Sequence, residues 1–215
     1  MQRVDVCRAN LRHFSCRKSL DSIVTQDEKY VFYNNPAKQL VWVRAGDPMP
    51  TYLRGDEHGD MQLLSFWVCA HGPAYWRLFP KKTMMDFEAI VNKIEEVDQR
   101  LAVIRPQRFK KLILFDNATP HRAKVTTQKL AQLRYVRVPH PPYSPDISPC
   151  DYHFFLSLQD FLAGKDTRSQ ADLESHINEW INSRPKQFWR DGIRKLAERW
   201  QQVIDFNGEY ILQHR

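Results

Sequence analysis

The 215-residue chain has no apolar run approaching the roughly eighteen residues that a membrane span needs. Its opening residues, MQRVDVCRANLRHF, lack the apolar stretch of a secretory signal. Both absences point to a soluble protein. The four cysteines, Cys7, Cys16, Cys69 and Cys150, are far apart and form no C-x-x-C pair, so neither a zinc site nor a secreted disulfide framework is indicated, and a reduced intracellular compartment fits best. Internal repeats, low-complexity tracts and a linker to a second domain are also missing. What is present suffices for one packed domain: 42% of residues are hydrophobic and 12% aromatic. Lys+Arg 32 against Asp+Glu 25 gives a net charge of +7, which favours a polyanionic partner such as nucleic acid.

Residues Arg3 to Leu20 carry Val4, Cys7 and Leu11 at helical spacing among basic side chains, which predicts a basic connector helix over residues 1–20. SIVTQDEKYVFY and QLVWVR are rich in β-formers and are separated by Asn34-Asn35-Pro36, a hairpin pattern. Gly46, Pro48, Pro50, Gly55 and Gly59 then mark an exposed loop, so an insertion is expected over about 34–62. LLSFWVCA and YWRLFP predict two more strands around His71-Gly72-Pro73. Phe87, Ile90, Val91, Ile94, Val97, Leu101 and Ile104 mark one face of a helix ending before Pro106. Lys111 to Phe115 reads as a buried strand, Arg122 to Leu133 as a helix, and Tyr135 to Val138 as a strand. Five prolines between Pro139 and Pro149 predict extended backbone. Helices follow over Tyr152 to Leu162, Gln170 to Asn182 and Phe188 to Phe206, broken by Gly164 and Pro185. This order predicts an α/β fold, a mixed sheet with helices on both faces over residues 21–215.

Three acidic residues fall where strands end or helices begin: Asp27 in IVTQDEKY, Asp116 in LILFDNATPH and Asp151 in SPCDYHFF. Carboxylates from two neighbouring strands and a following helix can converge on one edge of such a sheet. A cluster of like charges of this kind calls for cations, and hard oxygen ligands suit Mg²⁺ or Mn²⁺. Each residue also has an ordinary use: Asp27 as a solvated strand-edge residue, Asp116 as a turn or helix cap, Asp151 as an N-cap. Glu28 and Asp146 are acidic neighbours that the spacing does not favour as ligands.

DEKYVFY, FDNATPH, HPPYSPDISPCDYHFF and FWRDGIRKLAERWQQVIDFNGEY together resemble the catalytic domain of mariner-family transposases, from about Arg3 to Tyr210. Asp116 and Asp151 enclose 34 residues, the interval that distinguishes the mariner group. The resemblance implies an RNase H-like fold with a five-stranded sheet and two Mg²⁺ ions, replaceable by Mn²⁺, held by Asp27, Asp116 and Asp151. It also implies a nuclear homodimer that cuts double-stranded transposon ends and joins them to target DNA at TA dinucleotides. Asn117 and His121 then stand near enough to touch substrate or support the site. Arg122, Lys124, Lys110 and Lys111 are candidate DNA-backbone contacts, and Trp42, Gly46 and Pro48 of WVRAGDP resemble the family segment that reaches toward the partner subunit.

Two departures stand out. Phe115 replaces the histidine that usually precedes the second aspartate, and the helix-turn-helix region that begins a full mariner transposase has no counterpart here. Most sequence-specific DNA recognition is therefore expected to be lacking. The rival expectations are a host-adopted, non-catalytic DNA-binding or dimerisation module, and an RNase H-like nuclease acting on RNA or hybrids.

Overall fold

The structure is a computed structural model, which describes residues 2–36, 44, 46, 60–80, 87–104 and 110–211. Helices α1 (Gln2–Phe14) and α2 (Arg17–Leu20) precede three strands, β1 (Ile23–Phe32), β2 (Met61–Cys69) and β3 (Gly72–Phe79). After them come α3 (Phe87–Ile104), β4 (Leu112–Leu114), α4 (Thr119–Arg122), α5 (Lys124–Gln132) and β5 (Val136–Arg137). A 3₁₀ turn over Pro145–Ile147 and a π-helical segment over Cys150–Phe155 lead into α6 (Leu156–Leu162), α7 (Gln170–Ser183) and α8 (Lys186–Asp205). No helix of the described residues is long and apolar enough to cross a membrane.

The sheet has the order β3-β2-β1-β4-β5. Strands β1–β3 form an antiparallel meander, and β4 and β5 add in parallel to β1. β2 is buried on both faces, which suits its near-continuous apolar run, LLSFWVC. It turns tightly into β3 at Gly72, whose φ of +128° a side chain would resist. On one face α3 and α5 cover Val24, Trp67, Tyr75, Ile113 and Phe115. On the other, α6, α7 and α8 cover Ile23, Phe66, Leu112 and Leu114 with an aromatic cluster of Phe154, Trp180, Trp189 and Trp200. Local signals set the helix starts: Ser169 caps α7 by accepting the Asp172 N–H at 3.2 Å, and Pro185 precedes the first turn of α8.

The predicted element order holds, with four differences. The connector helix expected over 1–20 is two helices, α1 and α2. β1 pairs with β2, Asp27 opposite Phe66, and the QLVWVR segment expected to form a hairpin with β1 lies, apart from Arg44, outside the described residues, as do Trp42 and Pro48. The helix expected over Arg122 to Leu133 is α5, shorter at its start because Ala123 at ψ 143° separates it from Arg122, the last residue of α4. The proline-rich segment is not extended throughout: Tyr143 turns to φ +50° and Pro145–Ile147 closes a 3₁₀ turn. The four cysteines are free.

Where α8 crosses the π-helical segment, Gly192 permits the contact. A Cβ there would lie 2.5 Å from His153 Cδ2 and 2.7 Å from Phe154 Cζ, and the Gly192 carbonyl accepts the Tyr152 hydroxyl at 2.8 Å. Phe154 is fully buried, so it has no free space to yield into. Gly192→Ala is expected to destabilise the domain by about 1–3 kcal/mol. Urea unfolding checks this, and an unchanged midpoint would refute the close packing.

Candidate active site

The sheet register brings the first two aspartates level. Thr25 pairs with Leu114 across the parallel β1–β4 ladder, so continuing both chains by two residues sets Asp27 beside Asp116. Residues alternate faces along a strand, so Asp27 shares its face with Ile23 and Val31, whereas Glu28 points to the α3 side. There Glu28 Oε1 accepts from Gln26 Nε2 at 2.6 Å and from Ser65 Oγ at 3.4 Å. Asp151 arrives from the helical side. The wider π-helical turn begins at Cys150, and the Asp151 N–H is held by the Ser148 carbonyl at 3.0 Å. Ser148 Oγ also donates to Asp27 Oδ2 at 3.4 Å. Asp151 thus lies inside the first helical turn and is not its N-cap.

All three aspartates line one open cleft of about 670 Å³, with Asn117, Arg122, His140, Tyr143, Ser144 and Ser148 around them. The carboxyls of Asp27 and Asp151 lie within hydrogen-bonding reach of each other. Burial, then the adjoining Asp151 charge, pushes Asp27 well above the ordinary carboxylate range; burial also raises Asp151. Two carboxyls held this way need a shared proton or a cation between them.

Asp116 is differently placed, with 49% of its side chain exposed. Its Oδ1 meets His121 Nδ1 at 2.6 Å and accepts the Ala118 N–H at 2.9 Å. Burial opposes its ionisation, but the His121 and Ala118 hydrogen bonds outweigh it and hold the carboxyl below the usual range. Among the described residues no three His, Cys, Asp or Glu side chains stand as a complete metal-binding group. Two carboxyls meet directly, and the third shares their cleft with Oδ1 turned toward His121. This donor set is hard, anionic and electrostatically unsatisfied, and it fits Mg²⁺ or Mn²⁺.

His121 is buried and stacks on Phe115, ring centroids 4.7 Å apart at 15°. Asn117 donates from Nδ2 to the His140 carbonyl at 2.6 Å. Arg122 reaches the cleft and Lys124 is exposed at the start of α5. Lys110 and Lys111 are not brought there: they precede β4, at the opposite end from Asp116, and Lys111 is ion-paired with Asp98 at 2.6 Å. Gly46 sits in a turn at φ +98°. Sequence reasoning missed Ser148, His140 and Arg137. Arg137 Nη2 donates to the Asp116 carbonyl at 2.9 Å and to Asn117 Oδ1 at 3.3 Å, so it braces the loop from β5. Burial lowers His140 to about 4, leaving its ring uncharged near neutrality. No periodicity or motif marks Arg137; Ser148 could have been suspected from its place three residues before Asp151.

A family model described as "Transposase (partial DDE domain)" matches residues 32–111. The human histone-lysine N-methyltransferase SETMAR is 35% identical over 195 residues, 89% of this chain and 28% of that protein. The Mos1 mariner transposase of Drosophila mauritiana is 28% identical over 214 residues, 98% of this chain and 62% of that protein. A crystal structure of the Mos1 paired end complex with Mn matches with a TM-score of 0.87 at 30% identity, covering 98% of this chain and 62% of that one. The chain belongs to the mariner family of transposases. It corresponds to their catalytic domain and has its RNase H-like fold. This mariner domain spans less than two thirds of the length of either curated relative.

The opposed carboxyls give the mariner domain a measurable liability. Asp27→Asn removes one of the two ionisable carboxyls while keeping the side chain's shape. It is expected to raise the metal-free thermal midpoint at pH 7, by about 2–4 °C for each kcal/mol of repulsion relieved. A midpoint at or below the parent's in calorimetry would show that the pair is not repulsive.

Proposed function

We propose that this domain carries out metal-dependent phosphodiester hydrolysis at transposon ends and transfer of the freed end into target DNA. The observation that carries the reading is the close approach of the half-buried Asp27 and Asp151 carboxyls on the cleft that Asp116 also lines. Asp27, Asp116 and Asp151 are the residues that would hold two Mg²⁺ or Mn²⁺ ions. Bound there, the ions would supply Lewis acidity to activate water or a DNA 3′-hydroxyl and to stabilise the departing oxygen.

The remaining roles belong to the chain's own groups. His121 orients Asp116 and favours its ionised form, and Ser148 orients Asp27. Asn117 fixes the loop after β4 to the His140 backbone and supports the site at one remove from substrate. Arg122, on the cleft, and Lys124, exposed beside it, offer positive charge to a phosphate backbone. The partner is double-stranded DNA, as transposon ends and a TA target, bound by a homodimer in the nucleus. The resemblance of the segment carrying Trp42, Gly46 and Pro48 to the family segment that reaches the partner subunit supports the homodimer. The net charge of +7 and the Mos1 paired end complex support DNA as the substrate class.

A second reading, a non-catalytic module kept for DNA binding or dimerisation, is favoured by one finding: a close relative of this domain occupies part of a protein named as a histone-lysine N-methyltransferase. Plasmid nicking separates the two. With Mn²⁺, the parent domain is expected to convert supercoiled to open-circular DNA. Asp116→Ala should be slower by at least about a hundredfold, since a metal's charge stabilisation amounts to several kcal/mol. Equal background rates for both proteins, with DNA binding retained, would favour the module.

A further inference from the structure

Arg3 lies near the start of α1, 141 residues before Ser144 in the chain, yet its guanidinium is committed at the cleft wall. Nη1 donates to Ser144 Oγ at 2.6 Å and to Asp146 Oδ1 at 2.9 Å; Nη2 donates to Asp146 Oδ2 at 2.7 Å and to the Glu209 carbonyl at 3.3 Å. Nε donates to the Gly208 carbonyl at 3.0 Å, and the guanidinium carbon stands 4.4 Å from the centroid of the Tyr210 ring. A guanidinium has five N–H donors, and five contacts use them. Asp146, 6% exposed, also accepts the Ile211 N–H at 3.1 Å, and its carbonyl takes Arg199 Nη1 at 2.6 Å.

α1 grips this segment at two points. Arg3, Cys7 and Asn10 fall at i, i+4 and i+7, on one helical face. Asn10, fully buried, donates from Nδ2 to the Pro139 carbonyl at 2.8 Å. The helix therefore holds Pro139 at one end and Ser144 and Asp146 at the other. Between them Tyr143, 89% exposed, stays at φ +50°, a conformation that persists in a bulky residue only when its surroundings impose it. The Tyr210 hydroxyl, donating to the Tyr143 carbonyl, adds to that constraint. Pro139, Pro141, Pro142, Pro145 and Pro149 have no N–H to offer a strand or helix ladder, so braces from outside the segment decide where it sits.

We propose that Arg3 is a positioning residue for the carboxylate pair. By fixing Asp146 it fixes the Pro145–Ile147 turn, and that turn places Ser148, whose hydroxyl bonds Asp27 and whose carbonyl holds the Asp151 N–H. The inference rests on the reading above that Asp27 and Asp151 hold metal. It adds that α1 and the Gly208–Ile211 segment, at opposite ends of the chain, jointly set the geometry of that pair.

A matched control exists. Arg194 and Asp21 form the same kind of forked pair, at 2.8 and 2.7 Å, between α8 and the end of α2, and neither lines the cleft. Arg3→Gln, Arg3→Lys and Arg194→Gln are compared with the parent by thermal unfolding, by Mn²⁺ titration calorimetry at a temperature where all are folded, and by Mn²⁺-dependent nicking. Both glutamine variants are expected to lower the thermal midpoint. Only Arg3→Gln should weaken Mn²⁺ binding, by at least about tenfold as for other groups that orient a metal's ligands. It should also lower kcat while leaving KM for DNA nearly unchanged. Arg3→Lys, which keeps the charge but loses the fork, should fall between. Equal Mn²⁺ affinity in parent, Arg3→Gln and Arg194→Gln overturns the proposal; if Arg3→Gln does not fold, parent-like affinity in Arg3→Lys does so. A parent that binds Mn²⁺ but does not nick DNA sinks the nuclease reading alone, because the affinity comparison still decides the role of Arg3.

Discussion

Two carboxyl groups from residues 124 positions apart in the chain are pressed together on the floor of one cleft. That contact is unfavourable when both are charged, and partial burial deepens the penalty by weakening the hydration of the charged forms. A fold tolerates such a feature only when the surrounding structure dictates it. Here the rest of the molecule does so: Asp27 sits in the middle of the central strand, flanked by β2 and β4, and Asp151 sits in a turn braced from both chain ends. Neither can move away without disturbing a sheet ladder or the half-buried Arg3.

The third aspartate follows a different logic. Asp116 leaves the sheet just beyond the last paired residue of β4, so it is carried by a loop and not by a ladder. Side-chain and backbone donors supply the order that the strand no longer provides: His121 and Ala118 bind its carboxylate, and Arg137 binds its carbonyl. One site therefore combines two acids with raised proton affinity and one with lowered affinity, set by burial in the first case and by donors in the second. This division suits a centre in which one ligand stays ionised while the other two exchange a proton for a cation.

Much of this was legible in the sequence because it rests on short-range patterns. Runs of β-forming residues located β1 to β3, the 3.6-residue period located α3, and the motifs around Asp27, Asp116 and Asp151 marked residues that line the cleft. What was not legible depends on contacts between distant segments. The nine-residue register of β1 against β2 joins segments on either side of a long intervening stretch, which no local rule specifies. The break at Ala123 between α4 and α5 has no proline or glycine to mark it, and proline content alone suggested extension where Pro145–Ile147 forms a 3₁₀ turn. Arg3, Asn10 and Arg137 carry no motif at all: each acts through a partner more than fifteen residues away, and a single chain read linearly gives no hint of it.

Phe115 shows how a change next to a site can act without entering it. It precedes Asp116, so strand alternation turns it to the opposite face of the sheet, where it is buried edge-on against Trp67 at 5.6 Å and 89°. Its ring also lies flat beneath His121, and His121 binds the Asp116 carboxylate. The residue at position 115 therefore reaches the cleft only through the histidine. A phenyl ring supplies a flat apolar floor and offers no hydrogen bond, so the imidazole keeps both nitrogens for other partners, one of which is Asp116. A histidine at the same position would add a second titratable ring within stacking distance and compete for those partners. The phenylalanine thus touches Asp116 only through His121 and leaves the carboxylates themselves in place.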